Sequence, residues 1–156
     1  MSKRDRRGFT FIELLVVIMV IGILAGIAVV RYSELKQKAL SVQATQEMDN
    51  VRMAAYSRFY DTGVWPSDPG PGVVPPELQA YLVSGFSFVR PDYTLELENF
   101  TPPGGGTTAT YQVAVRLSSS NQNLVNALAN MVGHNAPYMM LGNDLVVILV
   151  GPDGQT

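Results

Sequence analysis

The chain has 156 residues, with thirteen acids against eleven bases, one histidine and no cysteine. That composition excludes disulfides, a thiol nucleophile and cysteine-held metals, and a lone His134 argues against a conventional triad or a histidine-rich metal site. A formal charge of −2 offers no generally basic surface for a nucleic-acid backbone.

The chain opens on the basic stretch MSKRDRRG, and residues 9–30 then carry a single ionisable side chain, Glu13. As a helix those residues would reach ~33 Å, enough to cross a hydrocarbon core of ~30 Å. A carboxylate held in such a segment costs roughly 2–4 kcal/mol at mid-bilayer and less near an interface, so Glu13 reads as functional. A secretory signal has a shorter apolar run and an A-x-A-like site after it, and Val29-Val30-Arg31 offers none. A plain signal anchor stays open as an alternative. Charge bias does not orient the span, because Arg31, Lys36 and Lys38 balance Lys3, Arg4, Arg6 and Arg7.

From residue 31 to residue 60 there is no proline or glycine. Tyr32, Leu35, Ala39 and Val42 follow helical spacing, as do Ala44, Met48, Val51, Ala55 and Phe59, and Asp61-Thr62-Gly63 supplies a stop. One helix over residues 9–60 would span ~78 Å, longer than a core of this size can cover. Its first half is therefore expected in lipid or against sibling helices, and its second half on a domain of its own. Two helices hinged near residues 30–32 are the alternative.

Residues 64–72 form a loop by their glycine and proline content. Residues 76–82 read as a short helix opened by proline and closed near Gly85. Trp65, the only tryptophan, is expected to clamp the loop to a sheet. Tyr93, Leu95 and Leu97 alternate with Thr94, Glu96 and Glu98, while Tyr111, Val113, Val115 and Leu117 alternate with Gln112, Ala114 and Arg116. Residues 101–108 make a glycine-rich hairpin tip between these two strands. Residues 121–132 suit a second helix capped by Ser119, Ser120 or Asn121. Residues 138–141 and 145–150 flank Gly142-Asn143-Asp144 as a second hairpin, and the doubly apolar LVVILV belongs inside a sheet rather than at its edge. The expected fold is α+β: a long amino-terminal helix whose second half packs on a small antiparallel sheet.

Chemistry is scarce. His134 lies between Gly133 and Asn135 and reads as a turn residue. Gly104-Gly105-Gly106 lacks the lysine of a phosphate loop. Asn99-Phe100-Thr101 fits a glycosylation sequon. An enzyme would have to rely on carboxylates such as Asp92, Glu96 and Glu98, which form no evident pair in a cleft.

Gly8-Phe9-Thr10-Phe11-Ile12-Glu13-Leu14, followed by the long apolar run, resembles the leader junction of type IV pilins and of type II secretion pseudopilins. Gly22 stands where that family commonly has glycine, and Val30 where many members have proline. The G-x-W-P at Trp65 and the following P-x-x-L-x-x-Y-L resemble the family's αβ-loop. The resemblance implies a cytoplasmic leader over residues 1–8, cleavage between Gly8 and Phe9 by a prepilin peptidase, and N-methylation of Phe9. Removing that leader, with its four bases and one acid, leaves a formal −5. The further divisions implied are a membrane-spanning, filament-core helix over 9–30, its amphipathic continuation over 31–62, and a sheet domain over 63–156. Glu13 is expected to pair with the methylated Phe9 amine of a neighbouring copy, since one buried polar contact can set the register between two helices.

The implied function is a structural subunit, not an enzyme, polymerising into a pilus-like filament or a secretion pseudopilus. Its partners would be copies of itself, the peptidase, and the assembly platform and ATPase of the inner membrane, with no nucleic acid. It would sit in the inner membrane before assembly and afterwards in the periplasm or on the cell surface. No cofactor is expected; calcium, which major pseudopilins often bind near the carboxyl terminus, would have Asp144 and Asp153 as its available acids. The alternative is a monomeric, membrane-anchored binding module.

Overall fold

The computed structural model describes residues 9–101, 110–132 and 136–154. Residues 1–8 (the expected leader), 102–109 (with most of the tip expected over 101–108), 133–135 with His134, and the last two positions lie outside the described residues. Contacts divide the chain into two units, residues 1–37 and 38–156.

Helix α1 runs Phe11–Thr62, without the hinge that was the alternative at residues 30–32. It starts and ends two residues later than the sequence pattern indicates. Thr10 is taken up by capping at one end, and at the other Gly63 closes the helix with φ 71° and an N–H bond to the Phe59 carbonyl of 2.7 Å. In the first unit every described residue is exposed. No residue of the apolar span there is buried, and the helix is long and apolar enough to cross a membrane. Tyr32 and Leu35, the first apolar stripe beyond it, are likewise exposed.

The second unit contains the sheet. Strands β1 (Thr94–Asn99), β2 (Val113–Ser118), β3 (Tyr138–Leu141) and β4 (Asp144–Val150) pair antiparallel in the order β1-β2-β4-β3. The apolar β4 is thus internal, as its composition requires. Gly142 and Asn143 make the β3–β4 turn with Asp144 already paired to Leu141, and Gly142 takes φ 62° there. One face of the sheet carries Leu95, Leu97, Val115, Leu117, Leu145 and Val147 against Ala44, Met48, Val51 and Ala55 of α1. Helix α2 (Gln122–Val132) adds Leu124, Val125 and Leu128 to the same core. Its cap is Asn121, whose Oδ1 accepts from the Asn123 and Leu124 N–H groups at 3.1 and 3.3 Å.

Three local expectations are corrected. Residues 76–82 are not one short helix but a 3-10 turn, Pro76–Leu78, followed by bends. The hydrogen bonds there are mostly of the i→i+3 kind, from Leu78 to Pro75, Gln79 to Pro76 and Tyr81 to Leu78, as a segment too short to propagate an α-helix forms. Trp65 clamps the end of α1 instead of the sheet, stacking on Phe59 with ring centroids 4.4 Å apart and meeting Tyr56 edge-on at 5.4 Å. Tyr111 leaves the face of Val113 and joins Ala114 and Val146 on the opposite one. It precedes the strand proper, next to a register irregularity at Val113/Ala114, where the alternation of faces is broken.

That second face also holds ions. Arg116 donates from Nη1 to Glu98 Oε1 at 2.8 Å and from Nε to Asp144 Oδ2 at 3.0 Å, and the Tyr111 hydroxyl bonds Glu98. One guanidinium thus ties β1, β2 and β4 together, in a chain with no disulfide to do so.

Candidate functional site

Thr10 and Phe11 are separated by the start of α1, so Thr10 is the residue whose backbone is half outside the helix. Its hydroxyl accepts from the Glu13 N–H at 3.3 Å, and Glu13 Oε2 reaches back to the Thr10 N–H at 2.8 Å and to the Thr10 hydroxyl at 2.6 Å. This is a capping box, Thr-x-x-Glu, in which side chains three residues apart satisfy each other's backbone donors. The Thr-x-x-Glu spacing ahead of an apolar run is the signal in the sequence for this cap. Phe9, Ile12, Glu13, Val16 and Val17 line one shallow apolar groove, so the two expected assembly residues, Phe9 and Glu13, share a surface. Phe9 itself is 78% exposed. Gly8, the other half of the expected cleavage site, lies outside the described residues.

While Gly8 and Phe9 remain joined, the Phe9 nitrogen is an amide and Glu13 has no amine to pair with. Thr10 supplies the two donors instead. A carboxylate carried into lipid with two hydrogen bonds loses less than a bare one. The cap therefore lets an acid travel in an otherwise apolar helix.

The other residues singled out by sequence do not converge on a site. Glu98 is committed to Arg116 and Tyr111. Glu96 is half-buried, and burial, then the neighbouring Glu98 charge, push its carboxyl above the ordinary glutamate value of 4.5. Asp92 is exposed and uses its carbonyl to hold the Ser119 hydroxyl at 2.6 Å. Asp144 is bound by Arg116, and among the described residues no group of three or more acids, histidines or cysteines is placed to hold a metal. The Asn99 side chain donates to the Pro66 carbonyl at 2.6 Å and accepts from the Thr101 N–H at 2.9 Å, which pins the 64–72 loop to β1.

Comparison with known proteins bears on the same amino terminus. Residues 3–29 match the family model described as the prokaryotic N-terminal methylation motif. By its amino terminus the chain is similar to type IV pilins and fimbrial proteins. Fimbrial protein EcpC of Eikenella corrodens is 38% identical over 68 residues, 44% of this chain and 44% of that one. Type IV major pilin protein PilE1 of Neisseria gonorrhoeae is 32% identical over 71 residues, 46% of this chain and 33% of that protein. A fimbrial protein of Pseudomonas aeruginosa is 38% identical over 58 residues, 37% of this chain and 38% of its own length. The chain thus spans less than half the length of the curated relatives it matches. No solved structure matches. What the comparisons and the structure share is a methylation-motif amino terminus, a helix long and apolar enough to cross a membrane, and an α+β arrangement of elements.

Proposed function

We propose that this pilin-type subunit is cut between Gly8 and Phe9 by a prepilin peptidase, methylated on the new Phe9 amine, and polymerised by stacking residues 9–30 into the core of a helical filament. The observation that carries the reading is the pairing of an exposed, membrane-length apolar helix with one carboxylate at its first turn. Every described residue of that segment is exposed, and hydrocarbon and sibling helices are the two environments suited to cover it. Removal of the leader turns the Phe9 amide into a cationic amine, a stronger partner for a neighbour's Glu13 than a neutral hydroxyl. Glu13 would then exchange its own cap for an intermolecular ion pair and set the axial step between subunits.

Residues 1–8 would stay cytoplasmic before cleavage, with the inner-membrane platform and ATPase extracting the mature subunit. The relatives named above are fimbrial or major-pilin proteins, which supports a surface pilus over a secretion pseudopilus. Mass spectrometry of the purified mature chain tests the first step: the expected amino terminus is N-methylated Phe9, and a chain still beginning at Met1 overturns it. Electron microscopy of sheared surface material tests the second, with filaments expected; filaments seen only inside the cell envelope would reassign the subunit to a pseudopilus.

A further inference from the structure

The part of α1 that faces the sheet buries mostly small side chains, among them Ser41, Ala44, Ala54 and Ala55. Met48 and Val51 are the larger apolar residues beside them. Apolar burial is non-directional and scales with area, so these contacts by themselves specify axial position less sharply than a hydrogen-bonded charge does.

Glu47 is the charged residue buried on that face. It is 8% exposed, and its carboxylate accepts from Arg90 Nε at 3.1 Å, Arg90 Nη2 at 2.9 Å, the Tyr93 hydroxyl at 2.7 Å and Gln43 Nε2 at 3.0 Å. Arg90 and Tyr93 are fixed to the sheet: the Arg90 N–H bonds the Tyr93 carbonyl at 2.9 Å, and Val89 bridges Thr94 at the start of β1. Four donors from two elements thus converge on one acceptor of α1. A slide of one turn in either direction would bring Gln43 or Val51 opposite Arg90 and leave the Glu47 charge buried without its guanidinium. A buried ion pair adds little net stability over apolar replacements, yet stranding one partner is costly, so such a pair discriminates between arrangements more than it stabilises any one.

We infer that Glu47 is a positioning residue that fixes the axial register of α1 on the protein's own sheet domain, through Arg90 and Tyr93. The inference stands whether or not the chain forms filaments. It assigns to the second glutamate of α1, within one subunit, the kind of role proposed for Glu13 between subunits.

Because the chain has no cysteine, the register can be read by cross-linking pairs of introduced thiols in the full-length protein. The Thr45 hydroxyl lies 3.8 Å from the Met131 sulfur of α2, so Thr45→Cys with Met131→Cys reports the native register. Ser41→Cys or Asp49→Cys with Met131→Cys reports a slide of about one turn either way. With Glu47 and Arg90 intact, the 45–131 pair should cross-link on the order of ten-fold or more above the other two, as expected when slippage strands a buried charge. In the double variant Glu47→Met with Arg90→Met, which keeps an apolar filling, the chain should still unfold cooperatively while that preference falls to about three-fold or less. Should the double variant not fold, Arg90→Gln at its partly exposed position is read in the same way. Cross-links that stay confined to 45–131 in a folded variant overturn the proposal.

Discussion

The two halves of α1 are one helix made of two kinds of sequence. Up to residue 37 it carries large apolar side chains, all exposed, with Glu13 held by a neighbour three residues away. From residue 38 to 62 it carries small residues toward the sheet and polar ones outward, with Glu47 held by residues 43 and 46 positions distant. In the exposed half the acid is held within its own first turn, by Thr10. A helix that is covered by its own domain can recruit donors from across the chain.

Four glutamates probe this contrast. Glu13→Val should produce the largest effect, abolishing filament yield while leaving insertion, leader cleavage and the melting of the sheet domain unchanged. Comparing sheared filament yield with cell-associated mature protein measures it, and normal yield would remove Glu13 from assembly. Glu47→Ala should do the reverse in kind: it strands Arg90 and costs about 3 kcal/mol of domain stability in urea unfolding. That cost depends on pH. Burial pushes the Glu47 carboxyl up, but its hydrogen bonds to Arg90, Gln43 and Tyr93 outweigh burial and hold it below 4.5. Its contribution is therefore present above pH 4.5 and lost as pH falls through the folded-state value, so wild type and Glu47→Ala should converge in acid.

Glu96→Gln has the opposite sign. Burial, and after it the Glu98 charge, raise the Glu96 carboxyl, so its contribution is full below pH 4.5 and lost as pH rises through the folded-state value. The glutamine variant should gain somewhat less than about 1 kcal/mol at pH 7, screened by solvent, and nothing at pH 4. Thermal melts at the two pH values check this, and a gain of equal size at both would exclude the electrostatic cause. Glu34→Ala should have the smallest effect. Its pair with Arg31, at 3.0 Å, has side chains 60% and 74% exposed, and its removal should shift melting by under about 0.5 kcal/mol.

Much of the fold was legible because local rules decide it. The absence of proline and glycine over residues 31–60 predicts a helix, Gly63 its end, one of Ser119, Ser120 and Asn121 a cap, and the apolar LVVILV an internal strand; the structure gives the cap to Asn121. The errors share a physical origin. The partner of Trp65 was a matter of where the 64–72 loop folds back, and the face of Tyr111 depended on an irregularity beside it. The Thr10–Glu13 cap was readable from spacing alone and was missed. The Glu47 cluster was not readable, since nothing marks Arg90 and Tyr93 as its donors until the chain is folded.

Hydrophobic patterning and the seven residues from Gly8 to Leu14 were enough to determine the class of this protein, because amphipathic period and membrane-span length act through near neighbours in the chain. The order of strands, the commitment of Glu98 and Asp144 to Arg116, and the burial of Glu47 were decided only in three dimensions. Those depend on which distant groups arrive together in a low-dielectric interior, where the cost of an unpaired charge selects one arrangement among many of similar apolar area.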